Sequence, residues 1–428
     1  MKISMFTNTY LPHVGGVARS VSTFAAELRR QGHLVQVIAP EYAAADAPEE
    51  ADSAVVRVPA LQHFNGSDFS VRIPLPGIIS EAISDFAPDI IHSHHPFLLG
   101  DAALRLARTM ELPLVFTHHT LYEQYTHYVP LDSPALKRFV IELATGYANL
   151  CNRVIAPSSS VKNLLVKRGV RSNITVLPTG IDIDLFSRGD GQRFRKQYGL
   201  SDRTTVIGHV GRLAREKNLP YLAEAVATAL KEHDRSCFLV IGTGDAEQEI
   251  RDVFTGRGCA EQLVMPGRLT GEQLADAYAA MDLFAFASRS ETQGLVLAEA
   301  MAASTPVIAL TASGVEDVVR HGVNGRLLAA EASTDEFARE LLAMLTDSGQ
   351  LAALRRAARG SAQEFSKETC TGRLADLYRE TIGNDHRAHH TDRDIVDSIR
   401  LAIKAEWELF QEKTKAALSS LVESEDEA

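Results

Sequence analysis

Four cysteines in 428 residues, Cys151, Cys237, Cys259 and Cys370, form no C-x-x-C pair and leave neither a zinc site nor a disulfide framework to read. A reducing cytoplasm is the matching expectation. Long apolar runs are missing as well. No stretch approaches the ~18 apolar residues of a membrane-spanning helix, and the run after Met1 turns polar at Thr7, too soon for a secretory signal. Positive charge is in deficit: Lys plus Arg is 44 against 55 Asp plus Glu, a net of −11. No general basic surface is therefore available to nucleic acid or anionic lipid, and an anionic ligand must be held by a local constellation.

What is present is a balanced globular composition, 45% hydrophobic and 23% charged, long enough for two or three domains. The charge is uneven. Residues 1–190 carry 16 basic and 18 acidic side chains, residues 191–428 carry 28 and 37, and nine of the 15 histidines lie in the first part. Short β-branched runs alternate with longer amphipathic segments. Strands are expected at Lys2–Phe6, Leu34–Ile38, Ile90–His92, Leu114–Thr117, Val154–Ala156 and Ile174–Leu177, and again at Thr205–Val210, Phe238–Ile241, Leu263–Met265, Leu283–Ala287 and Pro306–Leu310. Helical patterns such as Val17–Gln31, Pro134–Asn149, Leu219–Lys231, Gly271–Ala280 and Leu295–Ala303 separate them. This is an α/β pattern of two doubly wound, Rossmann-like domains whose strand ends face a cleft. The expected division is a first domain over 1–180, a linker at 181–192 after Pro178-Thr179-Gly180, a second domain over 193–365, a helix over 366–383 crossing back to the first, and a mostly helical extension over 384–428.

Several segments carry chemistry. Gly15 and Gly16 follow the first strand and open the first helix, either as a tight turn or as a place where backbone approaches an anion. They are not a G-x-G-x-x-G fingerprint, so a nicotinamide cofactor is not supported. Gly242-Thr243-Gly244, followed by Asp245, Ala246 and Glu247, is a near-miss of that fingerprint and reads as a turn bordering the cleft. Arg212 and Lys217 flank the turn after the second domain's first strand and suit a diphosphate. Glu291 and Glu299, with seven residues between them, bracket the start of a helix near Gly294. Carboxylates there accept bonds from hydroxyls, and free N–H groups of Gly294 and Leu295 suit a phosphate.

Together, the E-x7-E element at Glu291 and Glu299, the G-R-x4-K element at Arg212 and Lys217, the P-x-G-I-D stretch at Pro178–Asp182 and the Gly15-Gly16 loop resemble retaining glycosyltransferases of the GT-B fold, glycosyltransferase family 4, over roughly residues 1–380. The resemblance implies that Arg212 and Lys217 neutralise a donor diphosphate with help from Gly294 and Leu295. It places donor-sugar hydroxyls on Glu291, ribose on Glu299, and the nucleobase at the loop Pro266-Gly267-Arg268-Leu269, while Gly15 and Gly16 close over the phosphates. Thr117–Tyr128 is similar to a stretch of diacylglycerol glucosyltransferases. In that likeness His119 is the active-site histidine, His118 a structural neighbour, and Tyr122, Glu123, His127 and Tyr128 are acceptor-side candidates.

The implied activity is metal-independent hexosyl transfer, glucose from UDP-glucose being favoured, to a hydroxyl acceptor such as diacylglycerol. No cofactor is required, and the nucleotide-diphosphate sugar is a co-substrate. A lipid acceptor would bring peripheral contact with the inner face of a membrane, although the near-neutral first domain offers little attraction to it. The alternatives are a GDP-mannose-dependent mannosyltransferase acting on a soluble or polyprenol-linked glycan and, in another class, a nucleotide-sugar epimerase or a non-catalytic sugar-nucleotide binder. His92-Ser93-His94-His95 looks like a ligand cluster but fits a cleft wall better than a metal site. Asp182-Ile183-Asp184 spells D-x-D in a linker where that motif has no metal to hold. The sequence leaves oligomeric state open.

Overall fold

A computed structural model of the chain describes residues 1–12, 15–41, 54–61, 71–72, 76–124, 133–233, 235–289, 291–385, 408–409 and 411–415. It divides into two compact units, Met1–Gly180 with Glu368–Ala428, and Ile181–Lys367.

The first unit contains β1 (Lys2–Phe6), β2 (Leu34–Pro40), β3 (Val55–Val58), the short antiparallel pair β4 (Ala60–Leu61) and β5 (Val71–Arg72), then β6 (Ile90–Ser93), β7 (Leu114–Thr117), β8 (Arg153–Ala156) and β9 (Ile174–Val176). Its seven-stranded sheet runs β3-β2-β1-β6-β7-β8-β9, parallel throughout. Helices α1 (Gly16–Arg30), α2 (Pro76–Phe86), α3 (Leu99–Thr109), α4 (Pro134–Asn149) and α5 (Ser159–Lys167) intervene. Every residue of β6, β7 and β8 is buried, polar ends such as His92, Ser93 and Arg153 included, so these strands lack the alternation of a sheet with one solvated face. Helix α4 starts where the sequence places it, because the Ser133 hydroxyl accepts the Leu136 amide and Pro134 opens the first turn.

The second unit comprises α6 (Ile183–Ser187), α7 (Gly191–Gln197), β10 (Thr205–Val210), α8 (Leu219–Leu230), β11 (Ser236–Ile241), α9 (Glu247–Gly256), β12 (Leu263–Gly267), α10 (Gly271–Ala280), β13 (Leu283–Phe286), α11 (Leu295–Ala302), β14 (Val307–Leu310), β15 (Gly325–Leu328), α12 (Thr334–Thr346) and α13 (Ser348–Ala362). Its parallel sheet is ordered β12-β11-β10-β13-β14-β15. In both units the order reverses beside the first strand, between β1 and β6 and between β10 and β13. Ligands of such sheets bind beyond the carboxyl ends of the strands at that reversal.

Residues 181–192, expected as a linker, fold as α6 and the start of α7. Ile181, Phe186 and Phe194 are buried with Tyr278 and Met301 in the second unit's core. A proline and glycine followed by acidic residues signal a chain break, but here the two aspartates are caps: Asp182 and Asp190 accept the amides that open the two helices.

The last long helix, α14 (Lys367–Asp385), packs within the first unit. Cys370, Leu374, Leu377 and Tyr378 share a buried cluster with Ile3, Met5, Val115 and Ile155. Beyond α14 the extension is described at 408–409 and 411–415, where Leu409 is buried with Ile91, Leu104 and Tyr147. Glu408 pairs with Arg108 at 3.1 Å and Lys413 with Asp101 at 2.6 Å. Among the described residues no helix is long and apolar enough to cross a membrane.

Candidate functional site

In the second unit the site grows from the end of β10. Gly211 donates its amide to Ile241 O (3.0 Å), Leu213 donates to Thr243 O (3.0 Å), and Ala246 returns a bond to Leu213 O (2.9 Å), so the turn carrying Arg212 is laced to the loop after β11. A Cβ on Gly242 (φ +140°) would stand 1.8 Å from Gly211 O, and one on Gly244 (φ +152°) 2.3 Å from Leu213 O. Only glycine allows that approach. The near-miss fingerprint is thus the back wall of the Arg212 turn.

Across the switch point, the loop after β13 meets this turn. The Arg289 amide and the Ser288 hydroxyl both donate to Glu216 O, at 3.3 and 3.4 Å. Arg212 pairs with the Glu216 carboxylate. Lys217 Nζ lies 3.0 Å from Glu291 Oε2, each side chain only about one-sixth exposed. Gly294, at φ +74°, caps α11, and its amide donates to Glu291 Oε1 at 3.2 Å. That amide was expected to be free for a phosphate. Instead Glu291 occupies the position an anion would take at a helix N-terminus, because its carboxylate reaches back to the orphan amide three residues on. Leu295 is the first residue of α11, and Glu299, one turn further, is fully buried and accepts from the Tyr278 hydroxyl at 2.9 Å. Arg268 is exposed just past β12, whose Gly267 carbonyl accepts the Gly242 amide.

In the first unit the switch point is built of histidines and one asparagine. The Asn8 amide donates to His95 Nδ1 (3.1 Å), while the Asn8 side chain bridges Phe97 O and the Leu99 amide, both at 3.1 Å. His92 is fully buried between the hydroxyls of Thr117 (2.7 Å) and Tyr378 (2.6 Å). Its ring lies 4.1 Å from that of His94, and His94 Nδ1 meets His119 Nε2 at 2.9 Å. Reading 92–95 as a wall missed this. The available signal was H-x-H at the end of a central strand, which sends two histidines to one face. Gly15 is the N-cap of α1 and Gly16 its first residue; a Cβ on Gly16 would meet nothing within 4 Å, so packing does not demand glycine there.

The acceptor-side candidates divide. Glu123 is engaged by Arg168 at 2.6 Å. Tyr122 stacks edge-on against Phe97 and His118, its buried hydroxyl without a partner among the described residues, as are both ring nitrogens of His118. His127 and Tyr128 lie outside the described residues.

Burial disfavours the charged form of these histidines: His92, His95, His118 and His119 are pushed down to about 3, and His94 well below the ordinary 6.5. Below pH 6.5 the unfolded chain takes protons that the folded unit refuses. Their contribution to stability is therefore complete above 6.5 and is lost as pH falls toward 3. Thermal unfolding at about pH 5 is expected at a lower midpoint than at about pH 7, and equal midpoints would show that the cluster does not stay neutral.

The profile of Glycosyltransferase Family 4 matches residues 14–185, and that of Glycosyl transferases group 1 matches residues 190–361. An alpha-monoglucosyldiacylglycerol synthase of Streptococcus pneumoniae is 32% identical over 314 residues, 72% of this chain and 71% of the relative. A GDP-mannose-dependent alpha-mannosyltransferase of Corynebacterium glutamicum is 31% identical over 336 residues, 77% of this chain and 76% of its own. The crystal structure of HepE from Anabaena in complex with UDP and glucose superposes with a TM-score of 0.70 at 22% identity, over 89% of this chain and 100% of that one, a likeness of fold.

Proposed function

This chain belongs to glycosyltransferase family 4, has the GT-B fold and is a hexosyltransferase; from that premise we propose that it moves glucose from UDP-glucose to a hydroxyl of a lipid acceptor such as diacylglycerol, with retention of anomeric configuration. The observation that carries the reading is the Lys217–Glu291 pair at the β10/β13 switch point, with Arg212 on the same turn. In transfer, the bond between the anomeric carbon and the diphosphate oxygen breaks, and a bond to the acceptor oxygen forms on the same face. The acceptor's proton passes to a diphosphate oxygen. Negative charge on the leaving group falls to Arg212 and Lys217, assisted by the amide of Leu295 and, once Glu291 turns to the sugar, by that of Gly294.

Glu291 accepts bonds from sugar hydroxyls and Glu299 from the ribose, the loop carrying Arg268 reads the base, and Gly15 and Gly16 leave room for the phosphates. His119 stands beside the reacting sugar. Fixed cations supply the charge that a metal supplies in other transferases, so the proposal requires none. No carboxylate takes the role of a glycosidase nucleophile. The glucolipid reading is supported by the Thr117–Tyr128 stretch and by the synthase of S. pneumoniae, and it makes the protein a peripheral one at the inner membrane face. The Corynebacterium relative supports a second reading, mannose from GDP-mannose.

The test is a thermal-shift panel of sugar nucleotides, followed by mass analysis of diacylglycerol vesicles incubated with the best donor. Stabilisation by UDP-glucose and a glucosylated lipid are expected. Stabilisation by GDP-mannose alone, with mannose appearing on a glycan or polyprenol acceptor, would replace the first reading by the second.

A further inference from the structure

We infer that His94 is a positioning residue that fixes His119 in the Nδ1–H tautomer, so that His119 meets its ligand as a hydrogen-bond donor. The catalytic meaning rests on the placement of His119 beside the reacting sugar proposed above. The tautomer itself follows from proton counting. His94 Nδ1 and His119 Nε2 are 2.9 Å apart, and two neutral imidazoles can share only one proton in that contact.

If His119 Nε2 carried it, the proton of His94 would sit on Nε2. That atom is buried without a hydrogen-bond partner among the described residues. A buried N–H with no acceptor is the rarer and costlier defect, whereas a bare ring lone pair is better tolerated. The proton therefore belongs to His94 Nδ1, which donates to His119 Nε2. The proton of His119 is then left on Nδ1, the nitrogen facing away from His94.

The fully buried His94 and the half-buried His119 are both held below the ordinary imidazole range by loss of solvent, which favours the neutral form of each ring. The orientation of His94 is held in turn. His92 lies 4.1 Å from it, ring to ring, and cannot rotate without breaking its bonds to the Thr117 and Tyr378 hydroxyls. Helix α14 thereby reaches the histidine through two rings, none of which needs to touch substrate. A donor at His119 Nδ1 suits a sugar or acceptor hydroxyl oxygen and is unsuited to abstracting the acceptor's proton. Proton removal is thus left to the departing diphosphate.

The experiment is long-range proton–nitrogen NMR of the full chain labelled with 15N-histidine at neutral pH, alongside turnover with UDP-glucose. The wild type should show His119 with a protonated Nδ1 and a bare Nε2, and His94 likewise. In His94→Phe, His119 should shift toward the Nε2–H form that imidazole side chains favour in water, with kcat lowered about 10- to 10²-fold and the donor KM little changed. His94→Asn sets an amide N–H where Nδ1–H stood and should restore both the tautomer and most of the turnover. A protonated Nε2 on His119 in the wild type overturns the inference, whether or not either variant folds. So does an unchanged His119 tautomer in a folded His94→Phe. Wild-type turnover in His119→Ala, together with the expected tautomer in the wild type, would leave the inference standing and remove the proposed role of His119.

Discussion

Replacing Lys217 by alanine is expected to lower kcat/KM by about 10²- to 10³-fold, most of it in kcat, with little change in thermal midpoint. Lys217 is a fixed cation at the switch point, only 16% exposed, and its present partner is Glu291 at 3.0 Å. Charge on a departing diphosphate grows along the reaction, so a cation held there stabilises the transition state more than the bound donor. The fold loses less, because Glu291 keeps the Gly294 amide at 3.2 Å. Lys217→Arg should recover part of the rate, since it restores the charge in a bulkier, differently directed form. Steady-state kinetics with the best donor, paired with thermal unfolding, separate the two effects. Turnover of Lys217→Ala within about threefold of wild type would exclude Lys217 from leaving-group stabilisation.

The second large effect is expected from Gly242→Ala, a substitution with no change of charge. Its Cβ would lie 1.8 Å from Gly211 O on a backbone at φ +140°. The strained conformation costs about 1–3 kcal/mol, and relieving the overlap must also move backbone, so a total near 3–5 kcal/mol in urea unfolding is expected. The displaced segment carries Arg212. A shift of about 1 Å in a group that holds substrate can cost about 10²-fold in rate, so activity should fall even in the fraction that folds. Gly256→Ala is the control. Its Cβ meets nothing within 4 Å and it lies in α9, so it should be neutral or stabilising by up to ~1 kcal/mol. A Gly242→Ala protein as stable and active as this control would show that the close packing of the two turns is dispensable.

The sequence revealed most where local pattern and burial agree. The buried strands β1, β7 and β10 fall where their apolar runs predict, and the turns carrying Arg212 and Glu291 lie at carboxyl ends of strands, as the tandem α/β pattern requires. Edge strands were less visible. β15 is Gly-Arg-Leu-Leu, with neither an alternating nor a continuous apolar pattern, and β3 lies in a stretch with no helix signal to frame it. Pairing between distant side chains was not legible at all. Nothing in the spacing shows that Glu291 spans Lys217 and the Gly294 amide, that Arg168 claims Glu123, or that Tyr378 meets His92 from 286 residues away. These depend on sheet order, which a one-dimensional pattern does not contain.

The first unit is a fold whose closing piece is translated last. Met1–Gly180 supplies its sheet, but Cys370, Leu374, Leu377 and Tyr378 seal part of one face, and Leu409 joins the core on the other. At roughly 5–20 residues per second, a ribosome needs roughly 10–40 s to travel from residue 180 to the middle of α14. Throughout that interval Ile3, Met5 and Val115 lack part of their cover, while the second unit emerges with every strand of its own sheet. The order of completion is therefore the reverse of the order of synthesis. Until then the early half leaves that apolar surface uncovered, and a fragment ending near residue 180 is expected to keep an open apolar face that favours aggregation.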